Sequence, residues 1–190
     1  MGAVTGEDRR KLVHAAMTLW IVLLRWLPAG GALALAGAAI LVNWVVLPLT
    51  GLDRSLRRPG GPWIDGVKLY PVAVLAALLL FPAPTAAAAW AVLGIADAAS
   101  NVVGRRFGRP GFLGRTDRSL AGTAAFVVAG APAAALAHTW VAAQAPSQQV
   151  ILAACAAAVA GAVVELLVPK GLDDNVAIAL GAGAAFHFTA

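Results

Sequence analysis

The sequence predicts an all-α protein, a polytopic transmembrane helical bundle of about seven helices that forms one integral membrane domain over residues 1–190. Of these residues, 61% are hydrophobic and only 12% are charged, whereas a soluble domain is about half apolar and a quarter charged. The apolar residues form long blocks instead of amphipathic stripes, which is typical of membrane-spanning helices. The block length favours helices over a transmembrane barrel, whose strands would alternate over about ten residues.

Seven apolar segments are each about long enough to cross roughly 30 Å of hydrocarbon as a helix, with a shortfall in the third. They cover approximately residues 12–27, 31–50, 67–81, 85–103, 120–142, 149–168 and 175–188.

The loops between these segments divide into two classes by charge. The loops at residues 28–30, 82–84 and 143–148 carry no charge, while the tail and the other loops hold thirteen of the fourteen Lys and Arg. Because basic loops stay in the cytoplasm, we expect a cytoplasmic N-terminal tail, residues 1–11, and an outside C-terminus. The Lys and Arg of the cytoplasmic loops then account for the net charge of +5, and no nucleic acid partner is expected.

The composition also indicates where the protein resides. Its richness in Ala, Gly and Arg is typical of GC-rich bacterial genes, so we expect a multi-pass protein of the bacterial inner membrane. The partner at every helix would be the lipid bilayer. The sequence is compatible with a monomer or a homo-oligomer.

All nine Asp and Glu lie in the cytoplasmic loops or toward the cytoplasmic ends of helices. Acidic residues contribute little to membrane orientation, so topology does not explain this asymmetry. A divalent metal bound together with a nucleotide on the cytoplasmic face would explain it.

The most informative acid is Asp97, which lies in an apolar segment four residues before Asn101, on the same helix face. It comes about seven residues before the loop, roughly 10 Å from the cytoplasmic helix end. A carboxylate there costs about 2.5–3.5 kcal/mol, which favours a metal-binding or nucleotide-binding role. The alternative is a structural pair with an arginine or amide of a neighbouring helix.

The loop at residues 104–118 alternates glycines with five arginines. Glycine lets backbone N–H groups approach phosphate oxygens, and arginine binds them bidentately. Cytoplasmic positive charge explains some of the arginines but not the glycines between them. Ser119 and Thr123 open the next helix, whose N-terminal N–H groups suit an anion. The arginines are Arg105, Arg106, Arg109, Arg115 and Arg118.

Further candidates lie near other cytoplasmic helix ends. Glu165 is near the end of the sixth segment, and Asp173, Asp174 and Asn175 precede the seventh. One acid is enough for an N-cap, so the pair followed by an amide predicts oxygen ligands for Mg²⁺, with capping alone as the alternative. His14, about one turn into the first helix, is either a general base or phosphate contact, or a buried hydrogen-bonded histidine.

Two residues are expected to have modest roles. Asn43 in the second segment is either a weaker polar candidate for the site or the donor of a plain interhelical hydrogen bond. The single cysteine, Cys155, is expected to be a small core residue.

Taken together, these residues resemble the CTP-dependent lipid kinase family that includes dolichol kinase, phytol kinase and CTP-dependent diacylglycerol kinase, which is distantly similar to phosphatidate cytidylyltransferases. Arg10, Lys11 and His14 are similar to its Arg-Lys-x-x-His opening, and residues 69–71 to its Leu-Tyr-Pro. Residues 97–108 resemble its Asp-Ala-x-Ala-x-x-x-Gly-Arg-x-Phe-Gly element, in which Ser100 stands at the last alanine. Residues 118–123 resemble Lys-Ser-x-Glu-Gly-Ser, and residues 165 and 173–175 match its closing Glu and Asp-Asp-Asn.

Three further substitutions relative to the family pattern lie at or next to the proposed site residues. Ala96 replaces the glycine before the acid, Arg118 replaces the lysine of the Lys-Ser-x-Glu-Gly-Ser element, and Ala121 replaces its glutamate.

The resemblance implies transfer of the γ-phosphate of a nucleoside triphosphate, CTP in that family, to the hydroxyl of a membrane lipid alcohol, with Mg²⁺ as cofactor. The alternatives are a CTP-dependent cytidylyltransferase acting on a lipid phosphate and a non-catalytic protein that binds lipid phosphate or nucleotide. We expect the following roles. The catalytic residues are Asp97, Arg118 and His14; the nucleotide contacts are Arg105, Arg106, Arg115, Ser119, Gly122, Thr123, Asn101 and Lys11; the metal ligands are Asp97, Asp173, Asp174, Asn175 and Glu165.

Overall fold

The computed structural model describes residues 6–52, 64–169 and 172–190, and of residues 6–11 only the backbone. These ranges contain seven helical segments and no strand, so the all-α prediction is confirmed. The segments are α1 (residues 6–24, with a 3₁₀ turn at Thr18–Trp20), α2 (Ala29–Thr50), α3 (Gly66–Leu80), α4 (Ala83–Phe107), α5 (Leu120–Ala142), α6 (Gln148–Leu167) and α7 (Asn175–Thr189).

Four of these helices, α2, α4, α5 and α6, are long and apolar enough to cross a membrane, judged by length and composition. The apolar parts of α1, α3 and α7 are shorter. The shortfall predicted for the third segment corresponds to α3, which has 15 residues. The apolar blocks therefore located the helices to within a few residues.

Helix α4 is the centre of the bundle. In its most apolar window 72% of the residues are buried inside the protein, against 11% in α2. Helix α4 packs against α5, α7, α3 and α1, while α6 packs between α5 and α7, and α2 packs against α3 at the edge. A polar side chain on α4 is therefore surrounded by protein and not by lipid.

Two helices contain a π-helical turn, at Val42–Val46 in α2 and at Val92–Ala96 in α4. The second of these ends directly before Asp97. Helix α1 crosses α4 at this turn, where a Cβ on Gly94 would lie 2.1 Å from Cγ2 of Thr18. Only glycine permits this approach, because real Cβ atoms do not come so close to another carbon.

Side-chain caps fix the starts of three helices. Asp65, Ser119 and Ser147 precede α3, α5 and α6, and each accepts a hydrogen bond from a backbone N–H of the first turn, at 3.1–3.2 Å. Such caps satisfy N–H groups that have no partner within the helix.

Polar contacts show which helix ends meet. Arg118, before α5, contacts Glu165 near the end of α6 and Asp174 at the start of α7. At the opposite end of the bundle the guanidinium of Arg25 lies 4.7 Å from the ring centroid of Trp140, near the end of α5. The acidic and arginine residues singled out in the sequence thus gather at one end.

The expectation for Cys155 was wrong. Its side chain is exposed on α6 instead of lying in the core. The alanine-rich run around it gives no helical stripe that would identify the buried face.

Candidate functional site

Helix α4 presents one polar face toward α5 and α6. Ser100, Asn101 and Gly104 follow Asp97 by three, four and seven residues and so share this face with it. Asp97 is only 2% exposed and lies close enough to Glu165 to interact with it electrostatically. Ser100 donates a hydrogen bond to Glu165, at 3.0 Å from Oε1. The buried acid of α4 therefore faces a second buried acid on α6.

Arg118 joins the acids of two helices. Its Nη1 pairs with Oε1 of Glu165, and its Nη2 pairs with Oδ2 of Asp174 at 3.0 Å. Glu165 is 1% exposed, and an isolated buried carboxylate would be costly without such a partner. The forked guanidinium suits this double contact, because it presents donors in two directions.

A cleft of about 200 Å³ lies beside this cluster, between the end of α4 and the start of α5. Its walls include the predicted residues Asn101, Arg105, Arg118, Ser119, Gly122 and Thr123. Asn101 contributes a buried Oδ1 with no hydrogen-bond partner among the described residues. The cleft therefore holds an oxygen acceptor that a bound cation or donor would satisfy.

The glycines of the cleft have a packing role that the sequence did not reveal. A Cβ on Gly122 would lie 3.0 Å from the backbone oxygen of Ser100, and one on Gly108 would lie 2.1 Å from Oγ of Ser119. Larger residues would force α4 and α5 apart. The glycines between the arginines are thus explained in part by close helix contact.

Arg115 is held by the protein itself. Its Nη1 donates to the backbone oxygens of Leu166 (3.0 Å) and Val168 (2.9 Å) at the end of α6, and its other nitrogens bind Asp117. The hydrogen bonds from Arg115 lower the pKa of Asp117. This arginine therefore fastens the loop to the carbonyl end of α6, where a cation also complements the helix dipole.

The polar residues at the start of α7 have hydrogen-bond or ion-pair partners within the protein. Asp173 accepts hydrogen bonds from the backbone N–H of Asn175 (3.1 Å) and from its Nδ2 (3.3 Å). Nδ2 of Asn175 also donates to the backbone oxygen of Gly66, at 3.3 Å. Asp173 thus behaves as a cap, whereas Asp174 points to Arg118.

The five predicted metal ligands do not form one cluster. In residues 6–52, 64–169 and 172–190 no group of three or more His, Cys, Asp or Glu side chains is placed to hold a metal ion. The donor set still fits a Mg²⁺ that arrives with a triphosphate, since such an ion needs only one or two carboxylates from the protein. Asp97, Glu165 and Asp174, with Oδ1 of Asn101, supply oxygen donors of that kind.

The remaining predicted residues lie elsewhere. His14 is on the α1 side of α4, where its ring stacks on Tyr70 with centroids 4.4 Å apart. The side chain of Lys11 lies outside the described residues. Arg106 is exposed and does not line the cleft. Asn43 makes the interhelical hydrogen bond, from Nδ2 to the backbone oxygen of Val67 at 2.8 Å.

Sequence reasoning missed Ser100, Tyr70 and Lys68. Tyr70 lies within electrostatic range of Asp97 and accepts a hydrogen bond from Nε1 of Trp90 at 2.9 Å. Lys68 is 1% exposed, with Nζ 6.0 Å from the ring centroid of Trp44. The signal for Lys68 was its position three residues after the capping acid Asp65, inside the first turn of an apolar helix, where a charged side chain is rare.

Comparison with known proteins adds no relative: no protein-family model, no curated protein and no solved structure matches the chain.

Proposed function

We propose that this protein is a membrane-bound lipid kinase, which transfers the γ-phosphate of a nucleoside triphosphate to the hydroxyl of a lipid alcohol. CTP is the proposed donor, on the resemblance to the CTP-dependent lipid kinases alone. All seven helices would cross the membrane, with the N-terminus inside, so that the cleft faces the cytoplasm. The reaction would then take place where a soluble nucleotide meets the inner leaflet.

The observation that carries this proposal is the group formed by the buried acids Asp97 and Glu165 with the partly exposed Arg118 and Asp174, next to a cleft lined by glycine and arginine. Ionisable groups inside a helical membrane bundle are costly, and they mark functional sites by default. Phosphoryl transfer needs mainly positioning and charge stabilisation, which acids for a metal ion and arginines for phosphate oxygens can provide.

In the proposed reaction the lipid hydroxyl oxygen bonds to the γ-phosphorus while the bond from that phosphorus to the β–γ bridging oxygen breaks. The hydroxyl proton passes to a protein base, and the nucleoside diphosphate leaves. When bound, Mg²⁺ would neutralise charge on the phosphate oxygens. Arg118 and Arg105 would contact these oxygens, and the free N–H groups at the start of α5 would face them. Asp97 and His14 are the candidate bases.

Asp97→Asn tests the proposal, because it keeps the size of the side chain and removes its charge. We expect the variant to fold and to lose about 10²–10³-fold in turnover, the loss typical of removing one transition-state contact. The assay supplies purified protein with Mg²⁺, γ-labelled CTP or ATP and a panel of lipid alcohols, and measures label in the lipid.

The control is His138→Gln, which also alters a buried polar side chain. His138 lies eighteen residues after Leu120, about 27 Å along α5 from the cleft. It should therefore transfer label at the wild-type rate. Near-normal turnover in Asp97→Asn would remove Asp97 from the reaction and with it the observation on which the proposal rests.

A non-catalytic binding protein is the second candidate, and one observation favours it. Arg118 is already paired with two acids, and Ala121 stands where the resembling family has a glutamate. A protein of this kind would bind nucleotide but would form no phosphorylated lipid. Repeating the assay with a lipid phosphate as acceptor identifies a cytidylyltransferase, which would release labelled pyrophosphate, whereas a kinase acting on a lipid alcohol releases the nucleoside diphosphate.

A further inference from the structure

A second and larger cavity, of about 440 Å³, lies on the opposite side of α4 from the glycine-walled cleft. Helices α1, α2 and α3 surround it, and its lining is almost entirely apolar. The main apolar contributors are Met17, Trp20, Leu35, Val42, Leu47 and Val74.

The cavity is open toward the surface that α1 and α2 present outside the bundle. Met17, Trp20 and Val42 line it and are 40–45% exposed. Helix α1 packs against α4, and α2 packs against α3, so these two helices flank the opening. In a bilayer this opening would face lipid chains and not water.

One wall of the cavity is polar and reaches the candidate active site. His14, Asn43 and Tyr70 line it, and the hydroxyl of Tyr70 donates to the backbone oxygen of His14 at 2.9 Å. Asn43 uses its NH₂ group to bind Val67, which leaves its amide oxygen to accept from a ligand. The hydroxyl of Tyr70 also lies against α4 at Gly94, three residues before Asp97, since a Cβ on Gly94 would be 2.8 Å from it. The polar wall is thus the part of the cavity closest in sequence along α4 to the proposed reaction centre.

We infer that this cavity binds the hydrocarbon chain of the acceptor lipid, with the hydroxyl group against the wall of His14, Asn43 and Tyr70. The inference rests on the proposed function for the identity of the ligand as an acceptor. The apolar chain matches the lining and the bilayer opening, and the hydroxyl matches the single polar wall. Asp97 belongs to α4, the helix that lies between this cavity and the phosphate cleft.

The volume also selects a class of lipid. Ligand pockets of about 300–1,000 Å³ hold a compound of drug size, and 440 Å³ lies near the lower end of that range. A cavity of this volume holds the first part of one hydrocarbon chain. The cavity therefore favours a single-chain alcohol, such as a prenol, over a diacylglycerol with two chains.

The test is photo-crosslinking without nucleotide, using a long-chain prenol that carries a diazirine near its hydroxyl and a diacylglycerol that carries the same group. Purified full-length protein is labelled in lipid vesicles, and the labelled residues are mapped by mass spectrometry. We expect the prenol to label α1 and α2 around Met17 and Val42, at least fivefold more than the diacylglycerol.

A matched pair of variants on α2 supports the mapping. Ala39→Phe fills the cavity and should reduce labelling at least fivefold, while Ala34→Phe adds the same ring at an exposed position outside the lining and should change little. Labelling spread over exposed residues of α5 and α6, or unchanged by Ala39→Phe, would overturn the inference. Wild-type mapping alone decides the matter if Ala39→Phe does not fold.

The two proposals fail separately. Specific labelling of the cavity in a protein that transfers no phosphate would overturn the kinase function and leave the lipid site standing. Phosphate transfer with label outside the cavity would support the kinase function and overturn the lipid site. Equal labelling by both probes would overturn the choice of a single-chain lipid.

Discussion

At the scale of single residues, Arg118 is the position where the contacts seen in the structure differ most from the role predicted from the sequence. The sequence identified it as a phosphate-binding arginine at the end of a basic loop. The structure gives it two carboxylate partners, Glu165 and Asp174, from two other helices. Its first role is therefore to hold buried negative charge, and any contact with phosphate would be made from that position.

Arg118→Met should destabilise the protein by about 3–5 kcal/mol, the usual cost of leaving one partner of a buried pair without the other. Adding Glu165→Gln should recover part of this loss, because the unpaired carboxylate is then removed. Denaturant unfolding in detergent of the wild type, both single variants and the double variant measures the coupling. Additive effects would show that the two side chains do not interact.

Arg118→Lys gives a finer comparison. A single ammonium group cannot reproduce the forked contact with both acids. We expect a stability between those of the wild type and Arg118→Met in the same unfolding series.

The sequence could identify Asp97 and Glu165, because a carboxylate in an apolar segment is visible without coordinates. It could not assign Arg115 to the end of α6, since its partners Leu166 and Val168 lie 51 and 53 residues away. Long-range pairing leaves no local pattern. Lys68 was counted among the loop charges, although it is buried in the first turn of α3.

At the scale of helices, the block pattern located all seven helical segments of the described residues, because each corresponds to a continuous apolar run in the sequence. The pattern did not reveal how closely the helices approach. Gly122 on α5 meets the backbone of Ser100 and Gly104 on α4, with a hypothetical Cβ only 3.0–3.2 Å from backbone atoms. Small residues at such contacts are how membrane helices pack tightly.

Gly122→Ala should therefore destabilise the protein by about 1–3 kcal/mol, the usual cost of overpacking. The control is Gly37→Ala on α2, where a Cβ would meet nothing within 4 Å. That change should be neutral or stabilising by up to about 1 kcal/mol, because alanine is the better helix former. Melting temperatures in detergent compare the two, and an equal effect of both would contradict tight packing between α4 and α5.

At the scale of the whole molecule, the charges and the contacts point to one end of the bundle. Among the described residues, Arg115 and Arg118 contact the ends of α6 and α7, while Arg25 and Trp140 meet at the other end. The sequence predicts that the first of these ends is cytoplasmic.

Cysteine labelling of intact cells measures this orientation. After Cys155→Ala, a membrane-impermeant maleimide should label Gln144→Cys and Ala190→Cys but not Arg109→Cys, which should react only after the membrane is opened. Labelling of Arg109→Cys in intact cells would reverse the topology. Labelling of Gln144→Cys without Ala190→Cys would show that the number of crossings is even.

The π-helical turn at Val92–Ala96 has a consequence for how this bundle tolerates change in chain length. It accommodates one more residue than a regular turn, and each residue of an α-helix advances the direction of the side chains by about 100°. Deleting one residue there would let α4 relax into an unbroken helix and leave the side chains beyond it on nearly the same faces, because the turn already absorbs the extra residue. Deleting one residue from the regular helix between this turn and the start of α4 would instead turn Asp97 by about 100° away from Glu165. The effect of a one-residue deletion on the site therefore depends on whether it falls inside or outside the π-helical turn.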